Sequence, residues 1–510
     1  MSAPRPRNVL YITVDQWRGE CLGAAGHPVV KTPHLDRLAS EGVLFGRHYA
    51  QAAPCGPSRA SLHTGQYLMN HRSVLNGTPL DARFTNVALE VRAAGYDPVL
   101  FGYTDASPDP RQLSAEDPRL RTYEGVLPGF RVVVDLPEHA RPWGAWLRQQ
   151  GYDVPDDVTE MYRPISEAPG APVAFRAEHT EAAFLTGEFL GYLDALEAGA
   201  SWFAHLAFIR PHPPFMAPDP YASMYDPDAM PSPIRADTYE REGEANIVLA
   251  GALAVPGIRF GDDLAAVCQA RATYFGMMSE VDAQLGRLFD GIRARGAWDD
   301  TLVILTSDHG EQLGDHWLTE KLGWFDQSFH IPLIVRDPDA PAAHGAVIDD
   351  RFTENVDIMP TMLDWLGLDI PLQCDGRSLV PFLRGAPPID WRDAAFWEWD
   401  FRDPIGGFAE SLLGLSMDQC SLSCLRDEHG KYVHFSGLPP IFYDLEIDPE
   451  ELVNRAADPA YAARVLGYAQ RLLSRRMAHA ERGLTGLVVT PRGVLDGRRM
   501  PRPKADASAD

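Results

Sequence analysis

The chain has 510 residues, 45% of them hydrophobic, and its 46 Lys and Arg against 71 Asp and Glu give a net charge of −25. That length exceeds what one hydrophobic core usually serves and the composition excludes a disordered chain, so two folded domains are expected. The acidic balance argues against nucleic acid and anionic membrane as partners, and no apolar run approaches the roughly 18 residues of a membrane span.

In chain order, Asn8 to Val14 is a near-continuous apolar run, the mark of a strand buried on both faces of a parallel sheet, and it ends at Asp15. Its core VLYITV is only six residues long and no small-residue cleavage site follows, so a secretory signal is not expected. TPHLDRLASEG opens with Thr-Pro and stops at Gly42; NVALEVRAAG stops at Gly95 before the strand DPVLFGYT. The helix EAAFLTGEFLGYLDALEAG precedes the strand SWFAHLAFI, and AVCQARATYFGMMSEVDAQLGRLFDGIRARG precedes TLVILTSDHG. This alternation predicts an α/β fold, a large mixed and mostly parallel sheet between helices, over residues 1–385. From there the pattern changes: AAFWEWDF, CSLSCLRD and KYVHF read as short strands, and AADPAYAARVLGYAQRLLSRRMAHAE reads as a helix. A smaller α+β domain is therefore expected over residues 386–510, closing on a polar and mobile tail, PRPKADASAD.

The six cysteines, at 21, 55, 268, 374, 420 and 424, are scattered and form no disulfide framework, which suits a reducing cytoplasm. The pair Cys420 and Cys424 has no companions at zinc-finger spacing and reads as packed thiols.

Ligands of open α/β sheets sit outside the carboxyl ends of the strands, so the residues just past each apolar run are the candidates. Asp15 follows VLYITV, Tyr103 and Asp105 follow VLFG, His212 follows FAHLAFIRP, and Asp308 with His309 follows TLVILTS. Singly, each could be a turn or capping residue. Together, two carboxylates and an imidazole at one sheet edge form a ligand set for a divalent cation.

The segment CGPSRASLHTG, residues 55–65, matches the pattern C-x-P-S-R-x-S-L-x-T-G. With it the chain resembles the formylglycine-dependent sulfatases of the alkaline phosphatase superfamily. NVLYITVDQWR, KTPHLDRLASEGV, QYLMNHRSVLNGTPLD, FIRPHPPF, TSDHGEQLGDH and FYDLEIDPEELVNRAADP extend the likeness from about residue 8 to about 490, and are most similar to the bacterial phosphonate monoester hydrolases.

The resemblance implies that Cys55 is oxidised to formylglycine by a maturation enzyme that reads Cys55, Pro57 and Arg59. The aldehyde hydrate would attack with one oxygen and use the other to expel the acid. It further implies one divalent metal held by Asp15, Cys55, Asp308 and His309, with Gln16 close by. Manganese is expected, because histidine follows the second aspartate where sulfatases that use calcium commonly have asparagine; calcium and zinc are the alternatives. Arg59 would buttress the hydrate, and Lys321 and His212 would contact the nonbridging oxygens and the leaving group. Asn76 and Tyr103 would line the substrate pocket. Asp105 stands where the resembled enzymes carry threonine, and a carboxylate there should repel an anion unless it pairs with Lys321 or another cation, or faces away.

The expected activity is hydrolysis of phosphonate monoesters and phosphodiesters, with aryl sulfates in the same site. The alternatives are a primary arylsulfatase, a two-metal phosphodiesterase with an unmodified nucleophile that would draw on His316 and Asp326, and a non-catalytic carrier on the same fold. The expected partners are a small anionic ester, the formylglycine-generating enzyme and further copies of the chain, as a homodimer or homotetramer with the segment beyond about residue 480 reaching a neighbour.

Overall fold

The structure, a computed structural model, describes residues 7–496, so the polar tail expected at 501–510 lies outside the described residues. The seven residues of Asn8–Val14 are all buried, because the strand occupies the middle of an eight-stranded sheet. From edge to edge the strands are Ala346–Ile348, Val43–Phe45, Leu333–Arg336, Thr301–Thr306, Asn8–Val14, Phe203–Phe208, Pro98–Gly102 and Arg131–Asp135. Leu333–Arg336 runs antiparallel to both its neighbours and the other pairs are parallel, giving the mixed, mostly parallel sheet expected.

The pleat sorts the central strand onto two cores. Leu10, Ile12 and Val14 pack with the helices Pro33–Ser40, Glu181–Ala195 and Leu264–Ala294, whereas Val9 and Tyr11 pack with Val87–Ala93, Ile358–Leu366 and Leu62 of the helix Cys55–Thr64. Each large apolar side chain fully buried in this way contributes about 1.5–3 kcal/mol. The consequence for function is that three central strands, packed on both faces, present their carboxyl ends side by side.

A second sheet has the order Ile441–Asp444, Gly430–Phe435, Ser421–Arg426, Ala395–Asp400, Ala52–Ala53. Its last member comes from the N-terminal part of the chain and pairs in parallel, Ala52 with Glu398 and Ala53 with Trp399. The backbone N–H of Glu398 donates to Gln51 O at 2.9 Å. The chain therefore enters the helix Cys55–Thr64 directly from a strand clamped by the C-terminal sheet. That sheet is covered by the helix Ala462–Ala478, whose Tyr468 and Leu472 are its buried contacts.

Candidate active site

The central strand delivers Asp15, the strand Thr301–Thr306 delivers Asp308 and His309, and the helix Cys55–Thr64 delivers Cys55 and Arg59. All ten residues of that helix are buried. A guanidinium inside a core must be fully partnered, and Arg59, which is 0% exposed, is: Nε donates to Asp308 Oδ2 at 2.8 Å, and Nη2 donates to Asp15 Oδ2 and to Tyr103 Oη, each at 3.0 Å. The Tyr103 ring lies under the guanidinium at 4.2 Å, and its hydroxyl donates to Asp15 Oδ2 at 2.5 Å.

One ligand atom from each of Asp15, Cys55, Asp308 and His309 can be chosen so that all four lie within 4.8 Å of one another. His309 Nε2 is 3.1 Å from Cys55 Sγ and 3.8 Å from Asp15 Oδ1. On the other side of the ring, Nδ1 lies 3.0 Å from Gly310 O and donates to it, so the Nε2 lone pair faces the cluster. Asp308 Oδ1 accepts the backbone N–H groups of Gln16 and His309. Asp15 Oδ1 is buried with no hydrogen-bond partner. An orphaned carboxylate oxygen beside a bare imidazole nitrogen and a second carboxylate fits a divalent cation, and the nitrogen favours manganese, zinc or iron over calcium.

Electrostatics agree with the geometry. Burial alone would raise the Asp15 pKa, but His212, Arg59, His309 and Lys321 together hold its carboxyl well below the usual range. Burial pushes the Cys55 thiol up, opposed by Lys321 and reinforced by Asp15, Asp308 and Asp105. An unmodified thiol at this position is thus held protonated, a poor nucleophile.

Lys321 Nζ sits 2.9 Å from Glu320 Oε2, donates to Gln16 Oε1 at 3.1 Å and lies 3.4 Å from His212 Nε2. His212 Nδ1 donates to Pro213 O at 2.9 Å, which leaves Nε2 to accept. Asn76 Oδ1 accepts the N–H of Gly56 at 2.8 Å; the positive φ of the LNGT turn belongs to Gly77, so Asn76 is a cap on the nucleophile helix. A Cβ at Gly56 would come 3.1 Å from Asn76 Oδ1 and 3.2 Å from Asp105 O, the reason glycine follows Cys55. Asp105 finds its cation in Arg59, not Lys321: Oδ2 lies 3.6 Å from Arg59 Nε. Burial, against the pull of Arg59, pushes its pKa up to about 8.

The residues picked out in the sequence for the single-metal site and its pocket therefore converge. Two that were not picked out complete the network. Glu311, wholly buried, accepts from Gln16 Nε2 and from the backbone N–H groups of Leu313 and Glu320, at 2.9 and 2.8 Å for the last two. Glu320 in turn holds Lys321. The only available signal was their place beside DHG and Lys321. The residues considered for a second metal are engaged elsewhere: His316 Nδ1 is 2.8 Å from Glu242 Oε1 with its ring stacked on Phe325, and Asp326 pairs with Lys431. Among the described residues, the four-residue group is the one cluster with metal-ligand geometry, and Cys420 and Cys424 are buried free thiols.

A family model described as Sulfatase matches residues 7–368, and one described as N-sulphoglucosamine sulphohydrolase, C-terminal, matches residues 314–478. The chain belongs to the sulfatase family, and it is an ester-bond hydrolase. Among relatives of this sulfatase-family chain, the multifunctional alkaline phosphatase superfamily protein PehA of Trinickia caryophylli is 44% identical over 96% of this chain and 98% of its own. The phosphonate monoester hydrolase of Agrobacterium radiobacter superimposes with a TM-score of 0.92 at 48% identity, over 98% of this chain and 100% of its own. That of Silicibacter pomeroyi does so with a TM-score of 0.91 at 41% identity, over 97% and 100%.

Proposed function

We propose that this chain hydrolyses phosphonate monoesters and phosphodiesters, and aryl sulfates in the same site, using one divalent metal, manganese, and a formylglycine made from Cys55. The observation that carries the reading is the orphaned Asp15 Oδ1 within the Asp15, Cys55, Asp308, His309 group, with the Lys321 and His212 pair alongside. The phosphonate monoester hydrolases similar to this chain over almost their whole length support the substrate class.

Asp15, Asp308, His309 and residue 55 would hold the metal, which when bound supplies Lewis acidity toward the anionic ester. Formylglycine supplies, as its hydrate, a nucleophilic oxygen and a second hydroxyl for release of the acid. The chain's own residues do the rest. Arg59 offsets one of the two charges of Asp15 and Asp308 and fixes the orientation of both. Lys321 directs a permanent cation at charge developing on the nonbridging oxygens and the leaving group, and His212 reaches the leaving group with an N–H when Nε2 carries a proton. The Glu311, Gln16 and Glu320 network holds Lys321 in place. All three substrate classes present a singly charged tetrahedral centre, so one pocket accommodates them. The proposal extends to maturation by a formylglycine-generating enzyme, to a cytoplasmic setting, and to assembly as a homodimer or homotetramer through the exposed apolar hairpin Leu487–Thr490 and Gly493–Asp496.

The test is kcat/KM for an aryl phosphonate monoester, an aryl phosphodiester and an aryl sulfate on one manganese-reconstituted preparation whose residue 55 has been characterised by peptide mass. Turnover of the first two, in proportion to the aldehyde content, is expected. Full activity with an intact thiol at 55 would overturn the mechanism. Cys55→Ser keeps an attacking hydroxyl but lacks the second one, so it should give a burst and a covalent adduct without sustained turnover.

A further inference from the structure

Resting on the function proposed above, we propose that Arg210 is a positioning residue: through a buried ion pair with Glu181 it fixes the loop that aims His212 at the leaving group.

The sequence sets the problem. After the strand Phe203–Phe208 the chain reads IRPHPPF, in which Pro211, Pro213 and Pro214 have no N–H to donate, so the turn is poor in backbone donors of its own. The N–H of His212 donates back to Ile209 O at 3.0 Å and that of Met216 to Pro214 O at 2.8 Å, which leaves the His212 carbonyl to a side chain. Arg210 supplies the donor: Nη1 donates to His212 O at 2.6 Å and also to Pro214 O at 3.2 Å. One guanidinium nitrogen thus grips the chain on both sides of Pro213. The Pro213 carbonyl, held between those two contacts, accepts from His212 Nδ1 at 2.9 Å, and with the ring so held Nε2 lies 3.4 Å from Lys321 Nζ. Arg210 is therefore bonded directly to the residue it positions.

Arg210 is itself held from behind. It is 6% exposed, its Nε donates to Glu181 Oε2 at 3.3 Å, and the guanidinium lies 3.9 Å from the centre of the Tyr162 ring, whose hydroxyl donates to the same Oε2 at 2.5 Å. Glu181 is buried and opens the helix Glu181–Ala195. Thr180 caps that helix at the N–H of Ala183, and its hydroxyl donates at 2.5 Å to Glu280 Oε1 on the helix Leu264–Ala294. The loop is in this way tied to two helices of the core. A buried ion pair is a poor source of stability, since well-packed apolar residues of similar volume often serve as well or better. What apolar residues cannot do is present a planar fork of donors to two carbonyls at a fixed angle.

The experiment uses the metal-loaded enzyme in four forms: wild type, His212→Ala, the pair variant Arg210→Met with Glu181→Gln, and all three changes together. Neutralising both partners strands no charge in the core. The substrates are methyl aryl phosphodiesters whose leaving groups run from nitrophenol to unsubstituted phenol. With metal content unchanged, the pair variant should lose about 10–100-fold in kcat/KM on the phenyl ester, mainly in kcat, and less than about threefold on the nitrophenyl ester. On the His212→Ala background the same two changes should cost less than about twofold more, because the group they aim is gone. Arg210→Lys, which keeps the charge and loses the fork, should show the same leaving-group dependence at smaller amplitude, and it carries the test if the pair variant does not fold. A loss equal for all leaving groups, a loss as large without His212 as with it, or Arg210→Lys at wild-type rates overturns the positioning role and leaves the proposed function standing. Wild type that turns over none of the diesters sinks the proposed function, and this inference with it.

Discussion

Two buried clusters of charge in this molecule look alike in composition and differ in closure. Under the C-terminal sheet, Lys431 Nζ lies 2.6 Å from Asp326 Oδ1 and also contacts Glu451, while Arg426 reaches Asp326 Oδ2 at 3.3 Å. Two cations meet two anions there, and Lys431 also donates to Trp324 O at 3.3 Å. At the sheet edge, by contrast, one guanidinium serves three carboxylates, those of Asp15, Asp105 and Asp308, and Asp15 Oδ1, His309 Nε2 and Cys55 Sγ face one another with no basic side chain between them. Burial of charge therefore does not mark the chemistry. Donors that converge without a partner do.

The largest expected effect tests the closed cluster. Lys431→Met strands Asp326 and Glu451 in the core and should cost about 3–5 kcal/mol of stability, read by denaturant unfolding, with kcat retained wherever the protein is folded. A loss below about 1 kcal/mol would mean that the cluster is not held together by its charges. Next comes the flank of the open cluster. Lys321→Ala and His212→Ala should each lower kcat/KM by about 10²–10³-fold, least for good leaving groups such as nitrophenolate. An equal loss for good and poor leaving groups would assign the pair to binding alone. Smaller in rate, but decisive for the comparison, is His309→Ala: metal content and activity should fall together, by about 10–100-fold in metal affinity. Full metal content in that variant would take His309 out of the ligand set.

Sequence reading reached as far as local signals extend. Asp15, Asp308 and His309 were legible because apolar strands end at them, and Cys55 with Arg59 because the motif around them is dense. Glu311 and Glu320 were not, because their roles depend on loop backbone in the left-handed region at Gln16, Leu313 and Glu320, with φ of 68°, 47° and 63°, which no periodicity announces in residues other than glycine. The strand Ala52–Ala53 is two residues long and exists only because Ala395–Asp400, more than three hundred positions away, pairs with it. A pairing that distant leaves no trace in the pattern, yet it aims the nucleophile helix. The partner of Asp105 was open for a related reason: its own φ of 49° turns the carboxylate toward Arg59, a choice that the spacing of charges in the sequence does not make.

That carboxylate gives the smallest effect and the finest test of what an open cluster can accommodate. Burial pushes the Asp105 pKa up to about 8, against the pull of Arg59, so below that pH the side chain is mostly neutral and adds no charge to the anion pocket. Raising the pH removes its proton and sets a negative charge beside the substrate. In the effective dielectric of such a site this costs on the order of 1–2 kcal/mol, about tenfold in KM. A divalent cation at the four-ligand group favours the ionised form, so in the loaded enzyme the midpoint falls at or below about 8. KM for a phosphodiester should therefore rise on the alkaline side while kcat changes less. Asp105→Asn, which keeps the shape and cannot ionise, should flatten that limb and leave the acid side as in wild type. An alkaline limb that survives in Asp105→Asn would assign it to another group, and would mean that the neutral form of Asp105 is not what lets an acidic residue sit in an anion pocket.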